Sequence, residues 1–205
     1  MSEPRHTRWE RIEDTLATPY VRTFTERLDA GEDVDGEARL ADVLLPRRAR
    51  VLDAGSGLGR VAEALRRRGH DVTAVEKDPA LVAISRERFP EVPVVERDLV
   101  ELVPGVLEAV GRPTAYDAVV AVGNVVVYLA DDTEVEVLRR WRDLLVDGGC
   151  VLLGWHPVAG PEHSRDYPLA LLREHAAQAG LVVEHVFGGY GLEPVGEDYV
   201  VAVLR

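Results

Sequence analysis

The stretch that most restricts the folds open to this chain is Val51–Arg60, which reads VLDAGSGLGR. It begins with apolar residues, as a buried strand does, and glycines follow at alternate positions, Gly55, Gly57 and Gly59. From Leu58 onward apolar residues recur at helical spacing, so the stretch predicts a strand, a glycine turn and a helix. Glycine permits positive φ and lacks a Cβ, and a helix start offers free N–H groups. The turn can therefore hold an anionic group close to the backbone.

The predicted helix runs from Leu58 to about Arg68, and its polar face would expose four charged residues, Arg60, Glu63, Arg66 and Arg67. A dinucleotide-binding fingerprint, Gly-x-Gly-x-x-Gly, would need its third glycine at position 60, where this chain has arginine. The motif that remains is Asp-x-Gly-x-Gly-x-Gly, beginning at Asp53. This departure disfavours a dinucleotide site, although a nucleotide-cofactor oxidoreductase stays an alternative.

Downstream, short apolar runs alternate with helical patterns, which predicts an α/β fold with a doubly wound, mostly parallel sheet. One helix would open at Asp132–Thr133 and be closed by the Asp-Gly-Gly at 147–149. The last two strands are joined by a glycine-rich loop without a helical pattern, which indicates an antiparallel pair. The predicted strands are Arg50–Asp53, Asp71–Glu76, Val92–Glu96, Asp117–Val122, Cys150–Trp155, Leu181–Phe187 and Asp198–Leu204.

Residues 1–30 are helical by composition, and Pro19 would divide them into two pieces. Apolar side chains spaced by three and four form a stripe, made of Trp9, Ile12, Leu16, Tyr20, Phe24 and Leu28. Such a stripe suits a helix packed on the core or a lid over a ligand site, and the sequence leaves both open. We divide the chain into an N-terminal helical lid segment, residues 1–36, and a main domain, residues 37–205.

Composition narrows the possible partners and the compartment. The formal net charge of −12 argues against a nucleic-acid partner, because phosphate binding needs a basic footprint. Cys150 is the single cysteine, so no intramolecular disulfide can form. The N-terminus is too charged for a signal peptide, and the longest nearly apolar run, Ala118–Ala130, is too short to span a bilayer. We therefore expect a cytoplasmic protein without a membrane partner.

Acidic residues follow three successive strands: Asp53, Glu76 and Asp98. Because the carboxyl ends of parallel strands share one edge of a sheet, these side chains should lie close together. Glu76 stands 21 residues after Gly55, the distance that a turn, a helix and a strand require. Its carboxylate should therefore lie beside the glycine turn, where it can accept hydrogen bonds from both hydroxyls of a ribose.

The motifs, taken in order, resemble those of class I S-adenosylmethionine-dependent methyltransferases, over Glu37–Arg205. VLDAGSGLGR, AVEKDP and VVERDL resemble the first three motifs, YDAVVAVGNVVVYL the fourth-strand motif, and LLVDGGCVLLGW the unit before the acceptor loop. The resemblance implies a Rossmann-like sheet of seven strands in the order 3-2-1-4-5-7-6, with the last strand antiparallel. It also implies S-adenosylmethionine as cofactor and S-adenosylhomocysteine as product.

The resemblance further implies roles around the methionine part of the cofactor. Gly55 and Gly57 would let the turn pass beneath it, with Ala54 among the binding residues. Asp53 would lie near the cofactor ammonium, directly or through water, and the Gly123 carbonyl would face the same ammonium.

At the nucleoside part, Glu76 would hold the ribose hydroxyls. Asp98 would accept from the adenine amino group, with the Leu99 N–H behind it. Lys77 would lie with its stem beside the adenine, at a position where many members of the family carry an apolar residue.

The acceptor side is less defined, and its first candidates are Asn124, Tyr128 and His156. The Asn-Pro-Pro-aromatic signature of amino-group methylation on bases and glutamine is absent, because valines follow Asn124. A general base is needed only where the acceptor loses a proton during attack, so His156 is either a base or a structural residue, and no catalytic residue is assigned. His156 and His163 lack a clear carboxylate or cysteine partner, so no metal site is expected.

These features predict in-line methyl transfer to a small-molecule acceptor. Two alternatives remain, the nucleotide-cofactor oxidoreductase and a non-catalytic module that binds S-adenosylmethionine.

Overall fold

Seven strands form one sheet in the part of the chain, residues 5–205, that this computed structural model describes. The strand order is β3-β2-β1-β4-β5-β7-β6, and β7 is antiparallel to both of its neighbours, which confirms the expected topology. The remaining neighbours pair in parallel. The strands are β1 (Arg50–Ala54), β2 (Asp71–Glu76), β3 (Val94–Glu96), β4 (Tyr116–Ala121), β5 (Leu145–Trp155), β6 (Val183–Phe187) and β7 (Val200–Leu204).

Successive residues of the central strands feed two different cores, because side chains alternate between the faces of a sheet. Leu52 packs into a core that includes Trp141 on one face, whereas Val51 packs into a core that includes Leu65 on the other. Burial on both faces explains the continuous apolar runs of β1 and β4. The parallel pairing of β1 to β5 places their carboxyl ends along one sheet edge.

Seven α-helices and four short 3₁₀ turns connect the strands within residues 5–205. Asp78 caps one helix by accepting a 2.8 Å hydrogen bond from the Ala80 N–H, and Pro79 is the first helical residue, as the sequence predicts. The helices are α1 (Pro19–Asp29), α2 (Gly36–Leu44), α3 (Arg60–Arg67), α4 (Pro79–Arg88), α5 (Pro104–Ala109), α6 (Glu134–Asp143) and α7 (Leu169–Ala179).

The N-terminal segment differs from the expected helix. Residues 1–4 lie outside the described part of the chain, and the next residues form two 3₁₀ turns, Trp9–Arg11 and Thr15–Ala17. Pro19 does not break a helix but begins α1, where the Thr18 hydroxyl accepts a hydrogen bond from the Val21 N–H. Proline is tolerated in a first turn because its missing N–H has no intrahelical partner there.

The segment 144–149 is also assigned differently from the prediction. Helix α6 ends at Asp143, and Asp147–Gly149 lies inside β5, not in the turn that closes the helix. Leu144 is fully buried, its carbonyl accepts from the Tyr116 N–H, and Leu145 already pairs with Tyr116 of β4. Strand pairing and burial thus end the helix before the glycines that a local pattern favours.

Arg60 was expected on the solvent-exposed face of its helix, and this expectation is wrong. The residue is 5% exposed, and its guanidinium donates to the Glu37 carboxylate and to the Val34 carbonyl. The same guanidinium stacks 4.1 Å from the ring centre of Phe24 in α1. Arg60 therefore joins the glycine turn to α1 and α2.

Among the helices of residues 5–205, none combines the length and the apolar character needed to cross a bilayer.

Candidate functional site

A cavity of about 640 Å³ opens at the carboxyl edge of the sheet, between the strand ends and the N-terminal segment. Its volume lies within the range of roughly 300–1,000 Å³ that is common for ligand pockets. The predicted site residues on its wall are Gly55, Gly57, Glu76, Lys77, Asp98, Leu99, Gly123, Asn124 and Tyr128. Asp53, Ala54 and His156 are not on the wall, so the structure brings together nine of the twelve predicted residues.

The glycine turn is held against β2 by its own N–H groups. Gly55 has a φ of +73° and donates to the Val75 carbonyl at 2.8 Å. Gly57 donates to Oε2 of Glu76 at 2.8 Å, and a Cβ at Gly57 would collide with the Tyr20 hydroxyl of α1. The turn therefore needs glycine both for its backbone angles and for close packing.

Glu76 ends β2 and is 8% exposed. Its Oε1 accepts from the N–H groups of Lys77 at 2.7 Å and Asp78 at 2.9 Å, while Oε2 accepts from Gly57. Burial raises the pKa of Glu76, and these three N–H donors act in the opposite direction. The carboxylate is thus held in one orientation, with one lone pair of Oε2 left for a further donor.

The Lys77 ammonium crosses the side of the cavity where the adenine was expected. It lies 2.8 Å from Oδ2 of Asp98 and 2.6 Å from Oε2 of Glu10, in the N-terminal segment. Burial lowers the pKa of Lys77 and the two carboxylates raise it, with a net upward shift. Oδ1 of Asp98 accepts from the Val100 N–H at 3.1 Å. Lys77 therefore links the N-terminal segment to the strand ends.

Asp53 lies behind the glycine turn. It is 2% exposed, and its Oδ2 has no hydrogen-bond partner. Burial raises the pKa of Asp53 to about 7, against the lowering effects of Arg60 and the Ala62 N–H. Ala54 is fully buried and pairs with Val75 of β2. Both residues support the turn from inside the protein.

The N-terminal segment covers the cavity, and the sequence did not identify the contacts that hold it there. The indole N–H of Trp9 donates to Oδ2 of Asp78 at 2.8 Å. Its ring packs edge-on against Tyr20 and Tyr128, with centroid distances of 6.4 and 5.1 Å. Trp9 belongs to the predicted apolar stripe. In the sequence, only its polar indole N–H indicated that this side chain also forms a hydrogen bond.

On the acceptor side, Asn124 is anchored to the end of β5. Its N–H donates to the Gly154 carbonyl at 2.9 Å. Its Oδ1 lies 2.8 Å from the His156 N–H and 3.0 Å from Nδ1 of the same residue. Asn124 has a φ of +78°, in the left-handed region where asparagine is one of the more tolerant residues. Hydrogen bonds to Gly154 and His156 thus hold both the backbone and the side chain of Asn124 in place.

Tyr128 lines the cavity and donates from its hydroxyl to the Glu162 carbonyl at 3.1 Å. Burial raises the pKa of Tyr128 to about 12, so the phenol stays protonated near neutral pH.

No group of three or more His, Cys, Asp or Glu side chains in residues 5–205 is placed to hold a metal ion.

Comparison with known proteins adds to this geometry. A family model described as a methyltransferase domain matches residues 51–149. The ribosomal RNA small subunit methyltransferase A of Porphyromonas gingivalis is 40% identical over 81 residues, 36% of this chain and 31% of that protein. The magnesium-protoporphyrin O-methyltransferase of Rhodobacter capsulatus is 37% identical over 85 residues, 40% of this chain and 36% of that enzyme. These matches span only about a third of each curated relative.

A solved structure matches nearly the whole chain. The TehB-like SAM-dependent methyltransferase from Corynebacterium glutamicum is 32% identical, superposes with a TM-score of 0.77, and is matched over 91% of this chain and 95% of its own. The matched part therefore extends well beyond residues 51–149. On this evidence the chain belongs to the class I S-adenosylmethionine-dependent methyltransferases.

Proposed function

We propose that this protein transfers a methyl group from S-adenosylmethionine to a small-molecule acceptor. The observation that carries the proposal is the cavity of about 640 Å³, which has acidic strand ends on one side and the N-terminal segment over it. A space enclosed in this way suits a cofactor and a small acceptor together.

The donor groups on the wall fit the nucleoside of this cofactor. Glu76 is oriented by three N–H donors and keeps one acceptor site on Oε2, which suits a hydrogen bond from a ribose hydroxyl. Asp98 would accept from the adenine amino group, beside the Leu99 N–H. Lys77 would keep its ion pair with Asp98 at the adenine edge, a role different from lying beside the ring with its stem.

The remaining wall residues suit the methionine part. Gly123 lies on the cavity wall, and a Cβ placed on it would have no atom within 4 Å, so the space beside this residue is open. Its carbonyl would face the cofactor ammonium. Gly55 and Gly57 would pass beneath the ligand without side chains. Asp53 and Ala54 would act from behind the turn, and the unpartnered Oδ2 of Asp53 suits an indirect interaction with the ammonium.

The bound cofactor would supply a sulfonium-linked methyl group ready for in-line displacement. The protein then has to align the acceptor and exclude water. Trp9, Tyr128 and Asn124 are placed for alignment, and the described part of the N-terminal segment, residues 5–36, would act as a lid. No described wall residue is required as a base unless the acceptor loses a proton during attack.

A small acceptor is favoured over a nucleic acid, although the names of several relatives refer to ribosomal RNA. The chain carries a net charge of −12, and Arg8 and Arg11 beside the cavity are already paired with Asp131. A polyanion would therefore meet few free cations at the entrance. The name of the Rhodobacter capsulatus relative refers to a small-molecule acceptor.

Calorimetry with S-adenosylmethionine and S-adenosylhomocysteine tests the cofactor, and methyl transfer from isotopically labelled cofactor tests the acceptor. Label should enter compounds of a small-molecule panel, and ribosomal RNA should stay unlabelled. Labelled RNA would reject the small-acceptor proposal. Binding of NADH without binding of S-adenosylmethionine would favour the oxidoreductase, and cofactor binding without any transfer would favour a non-catalytic module.

A further inference from the structure

The carboxamide of Asn124 has one orientation that its neighbours permit. A backbone N–H can only donate, so the Asn124 atom 2.8 Å from the His156 N–H is the oxygen Oδ1. The assignment of oxygen and nitrogen in this side chain therefore follows from chemistry. The amide nitrogen Nδ2 is the end directed away from His156.

The same oxygen determines the protonation of the imidazole. Oδ1 of Asn124 also lies 3.0 Å from Nδ1 of His156, and an amide oxygen can only accept. Nδ1 must therefore carry the proton, and in the neutral ring Nε2 is the acceptor. His156 is held in this position by an edge-on contact with Tyr199, whose ring centre lies 4.8 Å away.

His156 does not touch the space in which a ligand would lie, whereas Asn124 does. Tyr199 is itself hydrogen-bonded to Tyr190 at 2.9 Å, so the ring that contacts the imidazole is held in place. His156 therefore bears on the cavity wall through its hydrogen bonds to Asn124. With Oδ1 occupied, Asn124 has only the Nδ2 hydrogens to offer as a side-chain contact in the cavity.

We propose that His156 is a positioning residue whose Nδ1–H holds Asn124, so that Asn124 presents N–H donors to the methyl acceptor. The inference rests on the proposed function and deepens it, because it names a property of the substrate. The acceptor carries an oxygen or nitrogen lone pair, such as a carbonyl, a carboxylate or a ring nitrogen, that Asn124 recognises. A preorganised amide rejects compounds that leave its donors unpaired.

The first test needs no acceptor. Long-range ¹H–¹⁵N correlation spectra of the protein with S-adenosylhomocysteine, recorded near pH 8, should show His156 as the Nδ1–H tautomer. His156→Asn identifies the resonance by its loss. An Nε2–H tautomer would overturn the assignment, whether or not the enzyme is active. Failure of S-adenosylhomocysteine to bind would instead count against the proposed function.

The second test separates positioning from base catalysis. His156→Asn keeps an N–H donor near the place of Nδ1 and lacks Nε2, whereas His156→Phe keeps a ring against Tyr199 and lacks any donor. We expect kcat/KM of His156→Asn to stay within about threefold of the wild type and that of His156→Phe to fall about tenfold or more. Cofactor affinity should be unchanged in both. Equal loss in the two variants would show that Nε2 acts and would overturn the proposal.

The third test addresses the acceptor class with matched pairs of aromatic thiols, amines and phenols, each with and without an adjacent carboxamide or carboxylate. The member with the added group should have the higher kcat/KM, and Asn124→Asp, which replaces the donors by an anionic oxygen, should abolish the difference. Equal rates within the pairs, or no transfer to any compound by a protein that binds the cofactor, would overturn this acceptor class.

Discussion

At the residue scale, Glu76 combines burial with three N–H donors, and no other described carboxylate on the cavity wall accepts from as many backbone groups. Its orientation thus does not have to be found when a ligand arrives, and the three donors offset part of the burial that raises its pKa. The sequence could place it beside the glycine turn, since one turn, one helix and one strand separate it from Gly55. The Lys77 and Asp78 donors could not be foreseen, because they depend on a local reversal after β2.

Replacing Glu76 by alanine should weaken binding of S-adenosylhomocysteine by about 2–4 kcal/mol, because charge-assisted hydrogen bonds are lost. Calorimetry on protein whose fold is verified by circular dichroism measures the change. Glu96→Ala is the matched control, since Glu96 pairs with Glu76 across β2 and β3 but is exposed. Unchanged affinity in Glu76→Ala, or an equal loss in the control, would remove Glu76 from the site.

Asp53 makes stability depend on pH in an unusual direction. Its pKa is raised to about 7 by burial, above the ordinary aspartate value of 3.8. Between these values the folded state holds a proton that the unfolded state has released, so folding stability falls as pH rises. The destabilisation that Asp53 causes is complete above its folded-state pKa of about 7 and absent below the ordinary value of 3.8. Arg60 moderates this shift, and Glu76 and Glu37 increase it.

Asp53→Asn should therefore stabilise the cofactor-free protein more at about pH 8 than at about pH 4.5, by about 3 kcal/mol if the full shift is expressed. Urea unfolding of variant and wild type at both pH values measures the difference. The comparison cancels other groups that titrate in this range. A variant whose effect is the same at both pH values would show that Asp53 is not protonated in the folded state.

At the scale of elements, the sheet was more predictable than the helix surfaces. Short runs of buried apolar residues between turn signals show where the strands lie in the sequence. The repeated strand–helix–strand units then limit the possible sheet topologies. Arg60 illustrates the limit, since an arginine opposite the apolar face of a helix is usually solvated. Its burial depends on contacts with Glu37 and Phe24, which lie in two separate helices. A local sequence pattern cannot predict such tertiary contacts.

Arg60→Ala should reduce the free energy of unfolding by about 3–5 kcal/mol, because Glu37 would be left with an uncompensated, largely buried charge. Arg60→Gly, which would complete a dinucleotide fingerprint, should reduce the free energy of unfolding for the same reason. Arg67→Ala in the same helix is the control, since that side chain is 58% exposed, and its effect should stay within about 0.5 kcal/mol. Equal effects in urea unfolding would mean that the buried pair contributes nothing.

We expect the N-terminal segment to open on its own, since it is held by side-chain contacts and a backbone hydrogen bond from Arg8 to Tyr128, and not by strand pairing. Trp9→Ala removes the hydrogen bond to Asp78 and the edge contacts with Tyr20 and Tyr128. Amide hydrogen exchange of residues 5–17 should then become faster, and S-adenosylhomocysteine should dissociate about tenfold faster. Arg22→Ala, at an exposed position of α1, is the control. Unaltered exchange and dissociation in Trp9→Ala would exclude a lid.

At the scale of the whole molecule, topology brings distant parts of the chain to one sheet edge. The glycine turn, the end of β2, the turn after β3 and the loop after β4 all meet there, and this meeting was predictable from the strand order. The closed position of the N-terminal segment was not, because it depends on side-chain contacts such as Lys77 with Glu10. The net charge of the molecule, like the strand order, can be predicted from the sequence alone.

The net charge of −12, with Glu76 and Asp98 on the cavity wall, should distinguish S-adenosylmethionine from its product. The sulfonium makes the cofactor a net cation, whereas S-adenosylhomocysteine lacks that charge. An acidic field accelerates the approach of a cation, and salt screens it, with a Debye length of about 30 Å at 0.01 M and 8 Å at 0.15 M. Stopped-flow association should therefore slow severalfold for S-adenosylmethionine over this range and hardly change for S-adenosylhomocysteine. Equal salt dependence for both ligands would show that the field of the molecule does not guide the cofactor.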